Sequence, residues 1–206
     1  AQDISMLLVQ HFLAHHDGSL GRRHHAKVAG IERQLGIHGS PTCTMIYGDS
    51  GGAVGYLVGP ENKGLMCMFS MMNNARLSVG HQGVAVGERA YQQAVSFAEQ
   101  RLQGQSADAE GRSPIIHHPD VKRMLHTMRA LTEGGRAMYF FTIAAEDRSK
   151  HRPFGHEDSF DLQIVEVMTP LVKGWCTEAS MEITSLGVQV HGGMGFVEET
   201  GAAQYM

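Results

Sequence analysis

The chain lacks most of the features that settle a protein's class at a glance. It has three cysteines among 206 residues, Cys43, Cys67 and Cys176, widely spaced and without a Cys-x-x-Cys pair. That argues against a disulfide framework or a zinc ribbon and predicts a reducing, cytoplasmic setting. No apolar run approaches the roughly 18 residues that span a bilayer, so no membrane span is expected. No secretory signal pattern opens the sequence. A large excess of one charge is missing too. The formal net charge is -4, which argues against nucleic acid as the main ligand. What remains, 42% hydrophobic and 18% charged residues, is the composition of a globular protein with a proper core.

The pattern along the chain changes character once. Residues 1 to about 60 read as β. "ISMLLVQHFL" predicts a buried strand over Ile4 to Phe12, and "HHDGSLGRRHH" a loop turning at Asp17-Gly18. "PTCTMIYGD" and "AVGYLVG" predict further strands, separated by Asp49-Ser50-Gly51-Gly52.

From Gly64 onward the pattern is helical. Between Ala75 and Gln103, the small residues Gly80, Gly83, Gly87, Ala90 and Ala94 recur at spacings of three and four. They form one stripe, on which a neighbouring helix can come close. A larger apolar stripe, Val84, Tyr91, Val95, Ala98 and Leu102, runs beside it. At ~1.5 Å per residue this helix would be about 40 Å long. A second helix is expected from Pro119 to about Asp147, with "SKHRPFGHED" as the turn after it. A third is expected from Phe160 to about Gly187. Pro170 lies inside it, so either it kinks there or Thr169 caps a fresh start.

The expected fold class is α+β: a short β segment, residues 1–60, followed by an up-and-down antiparallel helical bundle, residues 61–206. A fourth helix is expected beyond the end. The chain begins at Ala1 without an initiator Met and closes at Tyr205-Met206 in a running helical pattern. This predicts a piece of a longer protein, incomplete at both ends.

Candidate chemistry is scattered. His15-His16 and His24-His25 suit a polar loop or, with convergent geometry, a metal. His117-His118 precedes Pro119 at a helix start and reads as a cap or as a ligand contact. Arg76 stands at the expected entrance of the long helix, and Arg101 at its end, where a cation complements the helix dipole without any ligand. Gln189 and His191 precede Gly192, Gly193 and Gly195. Three glycines in four positions make either a helix end with a tight turn or a bare backbone surface against a nucleotide or a second chain.

The order and spacing of these residues carry more than any one of them. "MMNNARLSVGHQGVAVGERAYQQAVSFAEQRLQGQ", "HHPDVKRML" and "GVQVHGGMGFVEETGAAQYM" resemble the C-terminal helical domain of the FAD-dependent acyl-CoA dehydrogenase family. "LGIHGSPTCTMIYGD" and "GGAVGYLVGPENKGL" resemble the end of that family's middle β-barrel domain. The wording is closest to the bacterial 3-methylmercaptopropionyl-CoA dehydrogenase-like subgroup. The likeness covers nearly the whole chain.

The resemblance implies roles. Arg101 and Gln103 match the Arg-x-Gln that contacts the FAD of a neighbouring subunit near its pyrophosphate, although Gly104 follows where the family has an aromatic residue. His118 matches a position beside the flavin nucleotide, with Pro119 in place of the family's Gln. Gln189, Gly192 and Gly193 match the Gln-x-x-Gly-Gly block bordering the adenosine half of FAD from a second subunit. Asn73 and Arg76 match the substrate-side Asp-x-x-Arg, with Asn replacing Asp.

The implied reaction oxidises an acyl-CoA to its 2,3-enoyl form, as part of fatty acid metabolism, by removal of an α proton and passage of a β hydride to FAD. The implied partners are acyl-CoA, further copies in a homodimer or homotetramer that shares FAD between subunits, and an electron-acceptor flavoprotein. The catalytic glutamate is expected after Met206, which would leave this segment inactive by itself. Two other classes remain open at this point: a non-catalytic helical scaffold and a histidine-rich metal carrier.

Overall fold

A computed structural model of the chain describes residues 4–106, 111–151 and 160–206. It divides into two compact units, one up to Met71 and one from Met72. The first unit carries six short strands: β1 (Met6–Leu8), β2 (Phe12–Ala14), β3 (Leu20–Arg23), β4 (Ala26–Ile31), β5 (Cys43–Tyr47) and β6 (Tyr56–Val58). They pair antiparallel as β1 with β6, β2 with β3, and β4 with β5. Among the described residues these ladders do not close into a barrel.

Two expectations are corrected here. The run Ile4 to Phe12 is not one buried strand. It breaks into β1 and β2 because the two halves pair with different partners, and Leu7 and Leu8 are more than half exposed. The "HHDGSLGRRHH" segment is not only a loop, since its second half supplies β3. Its turn does lie at Asp17-Gly18, where Asp17 Oδ1 accepts from the backbone N–H of Ser19 at 2.9 Å and from its hydroxyl at 2.6 Å.

Three long helices follow: α1 (Gly64–Gln100), α2 (Pro119–Lys150) and α3 (Phe160–His191). The turn expected between α2 and α3 falls largely outside the described residues. With 37 residues, α1 is about 55 Å long, not 40. It starts before the glycine stripe, so Asn73 and Arg76 lie well inside it and not at its entrance.

In the second unit the stripe sets the packing. A Cβ on Gly80 would stand 2.7 Å from Val172 Cγ1, and one on Gly83 would stand 2.6 Å from the Cys176 carbonyl oxygen. Ala90 faces Gly187 farther along. The partners rise together in number, so α1 and α3 run parallel, backbone close to backbone. Gly135 of α2 lies against Val84 and Cys176, while Met128 of α2 reaches Gly187, so α2 runs antiparallel to both. This is the expected up-and-down order.

The core is filled by Met128, Val172, Cys176, Ile183, Ala94 and Ala98, all 2% exposed or less. The buried threonine hydroxyls of α2 and α3 are satisfied within their own helices. Thr132 donates to the Met128 carbonyl at 2.8 Å, and Thr184 to that of Ser180 at 2.9 Å. Pro170 does not end α3, which runs through it. Thr169 caps no fresh start there: its hydroxyl donates back to the Val165 carbonyl at 2.6 Å. Arg136 of α2 pairs with Glu88 of α1.

Candidate functional site

The α1 helix ends at Gln100 because the chain turns extended. Leu102 bridges to Pro114, the Gln103 N–H donates to Ser113 O at 3.0 Å, and the Ile115 N–H donates to Arg101 O at 2.9 Å. An extended segment places alternate residues on one side. Arg101 and Gln103 therefore share a face of this pinned strip, and both are exposed. His118 is the N-cap residue of α2 but makes no side-chain cap bond. Its Nε2–H instead donates to the Gln103 carbonyl at 2.7 Å, so the cap reading gives way to a brace between α2 and the strip. The hydroxyl of Ser113, in the same strip, is buried without a hydrogen-bond partner.

The second group lies at the C-terminal end of α3. Gln189 is exposed, whereas His191 is 5% exposed and donates from Nδ1 to the Gly187 carbonyl at 2.7 Å. The chain then tightens into a 3-10 turn, Gly192–Phe196. Two of the three glycines have a structural reason to be glycine, and the third has none. Gly195 is required by packing, since a Cβ there would stand 2.2 Å from the Val188 carbonyl oxygen. Gly192 has φ +58°, a left-handed angle that disfavours other residues. Gly193 has neither constraint, and its Cβ position faces open space.

One contact joins the two groups. The Phe97 ring stacks on His191, with centroids 4.4 Å apart and planes 30° apart. Phe97 is also the residue whose carbonyl accepts from the Arg101 N–H, at 2.9 Å. Arg101, Gln103, His118, Gln189, Gly192 and Gly193 thus gather at one end of the bundle. Phe97 was not singled out from sequence, and its only signal there is its place one turn before Arg101.

Asn73 and Arg76 are elsewhere. Arg76 donates to Asn73 Oδ1 at 3.3 Å. From Arg76 to the end of α1 at Gln100 is 24 residues, about 36 Å along the helix. Within one chain the eight residues cannot line one pocket.

The histidine pairs do not converge. His24 is buried and donates from Nδ1 to the Gln10 carbonyl at 2.9 Å. Among the described residues no three His, Cys, Asp or Glu side chains come together as metal ligands. None of the described helices is long and apolar enough to cross a membrane.

Known proteins place this architecture. The profile "Acyl-CoA dehydrogenase, C-terminal domain" matches residues 62–206. The chain is 49% identical over 205 residues to 3-methylmercaptopropionyl-CoA dehydrogenase of Ruegeria pomeroyi, covering 98% of this chain and 34% of that protein. It is 33% identical over 203 residues to a butyryl-CoA dehydrogenase of Syntrophomonas wolfei, covering 95% of this chain and 33% of that one. The solved butyryl-CoA dehydrogenase of Megasphaera elsdenii has the same fold over 88% of this chain and 42% of its own, with a TM-score of 0.71 at 22% identity.

The chain belongs to the acyl-CoA dehydrogenase family, a family of FAD-dependent oxidoreductases acting on CH–CH bonds. It spans about a third of the length of the curated relatives it matches. The donors gathered at the Arg101 end fit an FAD diphosphate in kind. They comprise a guanidinium fork, two side-chain amides and open peptide edges, and the set contains no carboxylate.

Proposed function

We propose that these residues form the C-terminal helical part of an acyl-CoA dehydrogenase that converts an acyl-CoA thioester to the 2,3-enoyl-CoA. The chemistry FAD supplies when bound is acceptance of the β hydride, paired with removal of the α proton by a carboxylate outside residues 1–206. Glu198 and Glu199 are not that base in this reading, and the segment alone is inactive.

The chain's own residues bind and orient. Arg101 offers two parallel N–H donors to a diphosphate, and its main chain is fixed by the pairing with Ile115. Gln103 presents an amide on the same face, held by the His118 brace. Gln189 and the Gly192-Gly193 edge approach the nucleotide without intervening side chains. Asn73 and Arg76, far along α1, serve the acyl-CoA side, with Arg76 oriented through Asn73. The separation of the two sets supports a cofactor shared between subunits, in at least a dimer. Electrons then pass to an acceptor flavoprotein, in the cytoplasm.

The observation that carries this reading is the gathering of Arg101, Gln103 and the open glycine edge by the Phe97–His191 stack. The R. pomeroyi relative acts, by its name, on 3-methylmercaptopropionyl-CoA, and that thioester is the first substrate to assay, with butyryl-CoA beside it. The test is flavin content of the full-length polypeptide against its Arg101→Gln variant. Wild type should purify with flavin near one per chain. The variant should fold equally well but bind FAD on the order of 10- to 100-fold more weakly, as expected for loss of a charge-assisted bidentate contact. A wild type that takes up no flavin from excess FAD ends the proposal.

A further inference from the structure

His191 serves the flavin reading only through its ring face, and its polar atoms have no part in it. The residue is the last of α3, is 5% exposed and is held on two sides. Its Nδ1–H donates to the Gly187 carbonyl at 2.7 Å, and its ring stacks on Phe97 with centroids 4.4 Å apart. A carbonyl oxygen can only accept. The bond therefore puts the ring proton on Nδ1 and leaves a lone pair on Nε2 of the neutral imidazole.

The chain makes no use of that second nitrogen. No described residue hydrogen-bonds to it. It is not sealed either: among the described residues, the only side-chain polar atoms both buried and unpartnered are the hydroxyls of Ser106 and Ser113. The sliver of His191 that stays accessible thus includes Nε2. A largely desolvated acceptor without a partner costs free energy that a ligand's donor would recover.

The neighbours of His191 say which part of a nucleotide it meets. On one side is Arg101, whose N–H donates to the carbonyl of Phe97, the residue whose ring covers His191. On the other are Gly192 and Gly193, whose Cβ positions meet nothing within 4 Å. The imidazole lies between the guanidinium assigned to the diphosphate and the bare edge assigned to the nucleoside. In an adenosine diphosphate, what joins phosphate to base is the ribose, and its hydroxyls donate. Arg101 cannot accept from them, and the exposed amides of Gln103 and Gln189 can turn either end outward. His191 offers an acceptor already fixed in place.

We propose that His191 Nε2 accepts a hydrogen bond from a ribose hydroxyl in the adenosine half of FAD. The inference rests on the flavin reading and deepens it, by naming the group that reads the sugar.

The test crosses a change in the ligand with a change in the protein, on the full-length polypeptide stripped of flavin. FAD, and FAD lacking one or the other hydroxyl of its adenosine ribose, are titrated in and followed by flavin fluorescence. Wild type should bind one deoxy form about 3- to 10-fold more weakly than FAD, the loss of one hydrogen bond to a desolvated acceptor. His191→Phe keeps a ring against Phe97 and removes the acceptor. It should bind FAD as weakly as wild type binds that deoxy form, and should no longer tell the two apart. Circular dichroism melts check that the variant folds, and the wild-type titrations stand without it.

If wild type binds FAD and both deoxy forms equally, the proposal falls while the flavin reading survives. It falls too if the folded variant still prefers FAD as strongly as wild type does, since another group then reads the hydroxyl. A wild type that takes up no flavin at all ends the flavin reading, and this inference with it.

Discussion

Gly83→Ala adds one methyl group, and the structure says where it goes. The new Cβ would stand 2.6 Å from the Cys176 carbonyl oxygen and 3.0 Å from its carbon. Both are main-chain atoms of α3, so no flexible side chain can step aside. To reach an ordinary contact the two helices must separate by close to an ångström, and the neighbouring contacts at Gly80 and Gly87 open with them. Overpacking of this kind costs about 1–3 kcal/mol. Against that, alanine for glycine inside a helix gains about 1 kcal/mol.

Set against that gain, the packing cost should leave a net loss of up to about 2 kcal/mol, which lowers Tm by up to about 8 °C for a chain of this size. Gly174 is the control: it lies within α3, and its Cβ position has nothing within 4 Å. Gly174→Ala should therefore stabilise by about 0.5–1 kcal/mol. Thermal and urea melts followed by circular dichroism measure both. If Gly83→Ala were as stable as Gly174→Ala, the close approach of α1 and α3 would be refuted.

Other outcomes follow from single contacts. Gly195→Ala should unfold the end of α3 or raise its proteolysis, while Gly193→Ala should leave the melt within about 0.5 kcal/mol of wild type and weaken only FAD binding. Burial pushes the Cys176 thiol above its ordinary value, so a thiol reagent at neutral pH should modify Cys43 and Cys67 in the native protein and spare Cys176 until denaturant is added. Glu88 sits below the ordinary carboxylate value: burial opposes ionisation most, but the Gln92 amide and the Arg136 guanidinium together outweigh it. Its folded value is the lower one, so its contribution is complete above the ordinary value of 4.5 and is lost as pH falls through the folded value. Arg136→Gln should cost about 0.2–1 kcal/mol at pH 7 and flatten the acid side of the stability profile, as read by urea melts from pH 3 to 7.

The helices were legible because their burial repeats. Gly80, Gly83, Gly87, Ala90 and Ala94 announce a close helix partner before any coordinates. The change to helix at Gly64 was legible as well, but the length of α1 was not, since the stripe that marks the helix begins near Ala75 and Met66 to Met72 is apolar without a period. The β2–β3 hairpin was hidden for the opposite reason. His, Arg and Gly are weak strand signals, and only pairing with Phe12 and Ala14 makes Leu20–Arg23 a strand. Among the site candidates, the order Arg101, Gln103, His118, Gln189 and Gly192-Gly193 was visible as a motif series. What joins its members was not. Phe97 and His191 are far apart in sequence, and a ring contact across two helices leaves no periodic trace.

That ring contact has a mechanical consequence. Because His191 is held by the Gly187 carbonyl on one side and the Phe97 ring on the other, the ends of α1 and α3 are tied to each other. A ligand touching both loses little loop freedom in doing so, and its affinity is not spent on ordering the protein. Cutting the rivet with Phe97→Ala would leave every donor in place yet let them drift independently, so the loss would appear as entropy in calorimetry before it appeared as a missing contact.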